Sequence, residues 1–351
     1  MTIRLENKYR FWASLLALGI SSVAIQLVMI REVMASFSGN ELVIGLVLGA
    51  WLLFTGAGAA LGGHLSGRLN ARPALFWSHI LVALLPFAQI GAIRALPFLW
   101  TRGVMLGLGK TVLPAGAVIL PFCVIGGIMI PIAASLLRGK DVAGKVYFVD
   151  SLGDLTGGIL FSVVFVYTLS HWDSLLCVAL LNLSAATLMT GTHGRLLVAV
   201  VAMGLFVTRP LDDTTISWRF PGQTVILHKN TPFAQLTISR SGTQLNVLQD
   251  TIPLFSTHEP EVEAKVHPAL AQVPPGTSVL LIAGGVFGTI NEIAKHHPAR
   301  VDYVEIDPAV VALDDLLDKS LSHPFVHVHV GDGRLFVRKT PCRYDVVIVD
   351  L

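Results

Sequence analysis

Six times between Phe11 and Met189 the sequence settles into an apolar run long enough to cross the hydrocarbon core of a bilayer. The runs cover about residues 11–30, 42–62, 74–95, 112–137, 146–169 and 174–189. About 20 helical residues reach across such a core, and in lipid a backbone must satisfy its own hydrogen bonds. Each run is therefore expected to be a transmembrane helix. A seventh run, residues 196–207, has a length more typical of an interfacial or buried segment. The first run is too long for a removable signal and lacks a small-residue cleavage site, so it reads as an anchor.

Charge falls between the runs. Arg31, Glu32 and the following SFSGNE read as a loop. With the N-terminus inside, the inner segments hold Arg4, Lys8, Arg10, Arg68, Arg72, Arg138, Lys140, Lys145 and Arg195, and the outer ones Arg31, Arg94, Arg102 and Lys110. That nine-to-four bias favours an inner N-terminus. Asp150 and Asp154 sit four apart on one face of the fifth run. Carboxylates within a membrane are costly and often functional; the alternative is that both lie near the inner interface, hydrated or paired with Lys145. Gly45, Gly49, Gly56, Gly58, Gly62 and Gly63 read as close helix packing.

The composition changes near residue 210. Residues 1–210 carry 14 Lys+Arg against 7 Asp+Glu, and residues 211–351 carry 11 against 16. A basic, acid-poor half followed by an acidic one reads as a membrane domain (1–210) followed by a soluble part. No basic patch points to nucleic acid. Cys123, Cys177 and Cys342 have neither metal nor redox spacing, so no metal site is expected.

In the soluble part, the short segments 224–227, 234–239 and 244–248 read as strands of a small β-domain (211–258), and His258 to Ala271 as a helix. Ser278 to Ile282 is an apolar run suited to a buried parallel strand, and it breaks at Ala283-Gly284-Gly285-Val286-Phe287-Gly288. Glycines there let the backbone turn sharply and approach a ligand. A helix, then a strand closing on Glu305 and Asp307, follow. An acid at that place can accept both hydroxyls of a ribose. A helix from Pro308 to Leu317, a strand closing on Gly331-Asp332-Gly333 and a fourth closing on Asp350 complete the order. The pattern predicts an α/β Rossmann-like domain (259–351) with polar groups at the carboxyl ends of its strands. Any single acid here is as readily a helix cap.

The ordered set GGVFGTINEI, VEID, GDGR and YDVVIVD resembles the spermidine synthase (aminopropyltransferase) branch of the class I S-adenosylmethionine-dependent methyltransferase fold. The segment before it, TPFAQLTISRSGTQLNVLQDTIPLFSTHEP, is similar to that family's N-terminal β-domain. The resemblance implies transfer of an aminopropyl group from decarboxylated S-adenosylmethionine to a polyamine or related amine, with no prosthetic group. It implies that Gly284, Gly285 and Gly288 form the turn under the donor, that Glu305 takes the ribose hydroxyls, and that Asp332, beside Gly333, takes the adenine amino group. Asp350 matches the family's catalytic carboxylate.

The sequence also departs from the family. Val286 stands where the family has an Asp for the donor's amine, which leaves plain S-adenosylmethionine and methyl transfer open. Glu261-Val262 replaces a Tyr-His pair. The sheet stops after its fourth strand, as in a fragment or a degenerate domain.

The whole pattern, with GGHLSGRLNAR between runs two and three and VYFVDSLGDLTGG opening run five, resembles bacterial proteins that fuse a transporter-like membrane region to a spermidine synthase domain. GHLSGRLNAR is similar to a basic loop of major facilitator transporters, with Gly67 in place of that loop's acidic residue. The expected partners are the lipid bilayer, an adenosyl donor and an amine acceptor, with homo-oligomers left open. An adenosyl donor requires a cytoplasmic domain on the inner membrane, which holds if the seventh run lies at the interface. The rival reading is a transporter or scaffold whose attached domain only senses a nucleoside or polyamine.

Overall fold

The computed structural model describes residues 5–37, 41–100, 107–137, 139, 141–257 and 261–350. Arg4, Arg102, Arg138 and Lys140 of the orientation count, and His258 at the start of the expected helix, lie outside the described residues. The chain divides into two compact units between Gly222 and Gln223, later than the boundary expected at 210.

The first unit is helical: α1 (Leu5–Phe37), α2 (Glu41–Leu65), α3 (Ala71–Ala95), α4 (Leu108–Ser135), α5 (Val142–Leu160, continued by a π-turn Phe161–Phe165 and a last turn Val166–Thr168), α6 (His171–Met189), α7 (Thr192–Val207) and α8 (Pro210–Ser217). Among the described residues six helices are long and apolar enough to cross a membrane, and α7 with α8 would make a seventh only as a pair bent by 49°. α1 packs on α5, and α2 on α4, at missing side chains. A Cβ added at Gly153 would lie 2.6 Å from the Leu16 carbonyl, and one at Gly62 2.8 Å from the Ile128 backbone. Gly19 and Gly157 complete the first seam, Gly58 and Gly127 the second. Such small-residue seams let helices approach without hydrophobic help from water. The packing reading therefore holds for Gly58 and Gly62 only. Among the described residues Gly45, Gly49, Gly56 and Gly63 face nothing within 4 Å.

Two expectations about charge are corrected. Arg31 and Glu32 belong to α1, which runs on to Phe37 inside the expected loop, and Arg94 is on α3 with its side chain fully buried. Glu32 explains both, because it is a carboxylate with no exposure and collects cations from distant segments. Arg94 donates to it through Nη2 (2.8 Å) and Nε (3.1 Å), and His171 lies 2.7 Å away through Nδ1. Arg219 also donates to Glu32, and to Ser36 Oγ at 2.7 Å. Arg31 Nε donates to His171 Nε2 at 3.2 Å, which places the ring's proton on Nδ1. Arg94 further binds Asp212 (2.6 Å) and Thr215 (2.8 Å), fastening α8 to the end of α3. A second buried set, His79, Asn182, Ser14 and Ser21, links α3, α6 and α1. Among the described residues Asp150 and Asp154 form no ion pair with Lys145 and are half-buried.

The second unit holds two sheets. β1 (Thr224–Asn230), β2 (Gln235–Ser241), β3 (Gln244–Gln249) and β4 (Ile252–Ser256) form an antiparallel meander in that order. β4 is a strand that the sequence reading lacks; its Pro253 fits an edge position. After α9 (Glu261–Leu270) come β5 (Ser278–Ile282), the glycine turn, α10 (Ile290–Ala294), β6 (Arg300–Glu305), α11 (Pro308–Val311), β7 (Val326–Val330), α12 (Gly333–Lys339) and β8 (Val346–Val349). The expected helix Pro308 to Leu317 is one α-turn and a 3₁₀ stretch, Ala312–Leu316. The four strands are parallel in the order β7-β6-β5-β8. β5 and β6, in the middle, bury Leu281, Val301 and Tyr303 completely. β5 is the strand at which the order reverses, and open sheets bind ligands beyond the carboxyl ends of strands at that point.

Replacing Glu32 by Gln would leave the cations of Arg94 and Arg219 buried against a neutral amide. The expected cost is about 3–5 kcal/mol. The double change Glu32→Met with Arg94→Met should cost less than Glu32→Gln, measured as the thermal unfolding midpoint of the purified full chain.

Candidate active site

The site is assembled where β5, β6, β7 and β8 end. Gly284 takes a left-handed conformation, φ 68°, and a Cβ there would run into the carboxylate of Asp350 at the end of β8. Gly285 lies against the ring of Tyr303 on β6, 2.6 Å from where its Cβ would be. Gly288, φ 90°, turns the chain beside Phe255 and Val262. Gly333 lies against Ile282 at the end of β5, so the loop after β7 reaches across to the glycine turn. The Gly331 amide donates to the Glu305 carbonyl at 2.8 Å. Every residue expected to serve the donor or the acceptor thus borders one continuous strip of strand ends.

Asp350 accepts from Lys265 Nζ on α9 at 2.8 Å and from Thr289 Oγ1 at 3.4 Å. Asp332 is exposed and caps α12, accepting from the Arg334 amide at 2.7 Å and the Leu335 amide at 3.3 Å through one oxygen. Its helix-cap role is thereby visible, at the same strand end where an adenine contact is expected. Val286 is buried in the domain core, 1% exposed, beside Phe287, whose ring stacks on Phe255 at 5.9 Å.

Tyr303 is the residue that the sequence reading missed. Side chains two apart on a strand share a face, so Tyr303 and Glu305 point to the same side of β6. The phenol donates to Glu305 Oε2 at 2.9 Å, and the Asp307 amide donates to Oε1 at 3.2 Å. The ring of the same residue lies against Gly285. One buried side chain therefore ties the glycine turn to the carboxylate beside it. Burial lifts the Glu305 carboxyl above its ordinary range, opposed by the Asp307 amide and the Tyr303 hydroxyl. Burial and the neighbouring Glu305 charge push the phenol far up, so it remains the donor at neutral pH. The sequence signal was a hydroxyl-bearing aromatic two residues before the acid, on the strand face that also carries Val301.

The opposite face of β6 carries Asp302. Arg300 holds it with two bonds (2.8 and 2.9 Å), and His329 Nε2 and Tyr344 Oη lie 2.8 and 2.9 Å away. Burial alone would raise its carboxyl, but these partners prevail and hold it at about 2, against an ordinary 3.8.

Three outcomes are expected. Gly284→Ala should cost about 1–2 kcal/mol from the left-handed backbone alone, with displacement of Asp350 besides, read by thermal unfolding. Val286→Asp would bury a charge in the core and lower the unfolding midpoint before it could serve any ligand. Asp302, held low, contributes stability at neutral pH that is lost as the pH falls from about 4 toward about 2. Asp302→Asn should flatten acid unfolding of the C-terminal unit in that window.

Residues 260–351 match the family described as spermine/spermidine synthase domain. A polyamine aminopropyltransferase of Thermococcus kodakarensis is 37% identical over 119 residues, 30% of this chain and 41% of that protein. Polyamine aminopropyltransferase 1 of Streptomyces coelicolor is 25% identical over 359 aligned residues, covering 85% of this chain and 66% of that protein. The chain thus spans less than two thirds of the length of either relative. The crystal structure of spermidine synthase from Thermotoga maritima is similar at a TM-score of 0.34 and 22% identity, over 36% of this chain and 47% of that one. Residues 260–351 thus match the spermine/spermidine synthase domain, and the relatives that the chain resembles are polyamine aminopropyltransferases.

Proposed function

We propose that the chain is a membrane-embedded aminopropyltransferase that takes decarboxylated S-adenosylmethionine as donor and a polyamine or related amine as acceptor. The observation that carries this is the contact between Asp350 and the glycine turn, with Glu305 on the far side of the same turn. The reaction is a displacement at the carbon beside a sulfonium. The acceptor's neutral nitrogen forms a bond to that carbon, the carbon–sulfur bond breaks with its electrons going to sulfur, and methylthioadenosine leaves. The nitrogen's surplus proton passes to Asp350, the carboxylate nearest the turn. Glu305 and the turn hold the donor's nucleoside, and much of the acceleration comes from that positioning. Asp332 and Gly333 close the adenine side.

The helical unit is proposed to lie in the inner membrane, with the C-terminal unit in the cytoplasm where an adenosyl donor is available. The length and apolarity of six helices support the first part, and the excess of Lys and Arg on the N-terminal side supports the second. One observation favours a second reading of the donor. Val286, apolar and buried, puts no carboxylate beside the donor's free amine, so S-adenosylmethionine with methyl transfer is the rival chemistry.

Calorimetry on the full chain with decarboxylated S-adenosylmethionine, S-adenosylmethionine and methylthioadenosine tests the proposal. Saturable binding of the decarboxylated donor and of methylthioadenosine is expected, and no binding of any of the three would sink the reading. Glu305→Gln should weaken donor binding about tenfold or more. Asp350→Asn should leave donor binding in place and lower turnover about 10²–10⁴-fold. Lys265, 44% exposed, sits on Asp350 where the acceptor's nitrogen must arrive, in a pair worth about 1 kcal/mol or less. Lys265→Met should therefore lower the acceptor KM a few-fold with little change in donor affinity.

A further inference from the structure

At the end of the helical unit where α1 and α3 begin and α4 and α6 finish, a cavity of about 290 Å³ opens between Arg10 and Arg72. Thr190, in the turn between α6 and α7, completes its polar side, while Phe11, Leu188 and Met189 form an apolar side. Phe11 is 3% exposed, whereas Leu188 and Met189 are half-buried, so the accessible part of the apolar side comes from those two. Both arginines are exposed, and among the described residues neither forms an ion pair and no carboxylate lines the cavity. Two guanidiniums facing one space repel each other unless an anion lies between them. Their planar forks match phosphate oxygens, to which they can each donate two hydrogen bonds. The volume is at the small end of the range for small-molecule sites, about 300–1,000 Å³.

We propose that this cavity binds the phosphate of an anionic phospholipid headgroup, with the glycerol end of the acyl chains against Leu188 and Met189. The shared chemistry is a phosphate anion. The apolar side is what selects a lipid, because a free anion gains nothing from it. The site rests on the membrane placement of the helical unit, and it is independent of the transferase reading. With helices of membrane-spanning length, the ends of α1, α3, α4 and α6 fall at headgroup level, on the side rich in Lys and Arg, where basic pockets between helices bind acidic lipids. Arg10 and Arg72 then serve as ligands as well as orientation charges.

The test uses the full chain in detergent, exposed to phosphatidylglycerol or to phosphatidylcholine with the same acyl chains, with retained lipid read by native mass spectrometry. The wild type should keep phosphatidylglycerol preferentially. Arg10→Gln and Arg72→Gln should each weaken that retention about tenfold, with helix content unchanged by circular dichroism. Equal retention of the two lipids, or full retention by the double variant, would overturn the site. Saturable calorimetric binding of inorganic phosphate alone, lost in the double variant, would overturn the lipid and make the ligand a soluble anion. Alkaline carbonate extraction separates the remaining failure. A chain released by carbonate overturns the membrane placement, whereas a chain retained without headgroup preference overturns the site alone.

Discussion

Backbone lies against backbone at a few positions where the chain carries no Cβ, and both units are organised by those contacts. In the helical unit Gly19, Gly153 and Gly157 close α1 on α5, and Gly58, Gly62 and Gly127 close α2 on α4. A methyl at any of them would meet a carbonyl or an α-carbon, which cannot move aside as a side chain can. In the C-terminal unit Gly284 and Gly285 do the same work at the site. One admits the carboxylate of Asp350 and the other the ring of Tyr303. Asp350 and Glu305 come from the ends of strands on either side of β5, and the thin turn admits Asp350 on one side and the Tyr303 ring that holds Glu305 on the other.

Three of the carboxylates buried among the described residues, Glu32, Asp302 and Glu305, differ in the donors around them. Glu32 binds arginines from two segments and a histidine from a third, so its removal would take a shared counter-charge from all of them. Asp302 is enclosed by Arg300, His329 and Tyr344, and its role is to fix one face of β6. Glu305 is different. Its partners are a phenol and an amide, both neutral, so its charge is uncompensated within the protein. A carboxylate oriented but not neutralised is suited to receive hydroxyl donors from a ligand, and the other two are not.

Asp350 stands between these cases. Its partner Lys265 is a half-exposed ammonium that can swing away into water. In the proposed reaction an arriving amine would meet a carboxylate already arranged for a nitrogen cation, with little to break before it binds. The likeness to aminopropyltransferases covers these strand ends, and the geometry there is the part of the molecule that speaks to chemistry.

The sequence by itself determined the six long apolar helices, the parallel strands and the placing of Gly284, Glu305, Asp332 and Asp350 at strand ends. Period and length carry those, since an apolar run of given length or a glycine break after an apolar strand has few local outcomes. What it did not yield depends on groups far apart in the chain. Arg31, Glu32 and Arg94 look like loop charges until the fold brings Arg219 and His171 to the same point. Four of six glycines read as packing face nothing, because spacing along one helix does not say which face a neighbour covers. Tyr303 looks like an ordinary strand aromatic, and only the close approach of Gly285 turns its hydroxyl into the link between turn and carboxylate. Local periodicity fixes which elements form and which of their ends carry polar groups. Which side chains meet is decided by tertiary packing, because a buried charge or hydroxyl takes its partner from whatever segment the fold brings within hydrogen-bonding distance.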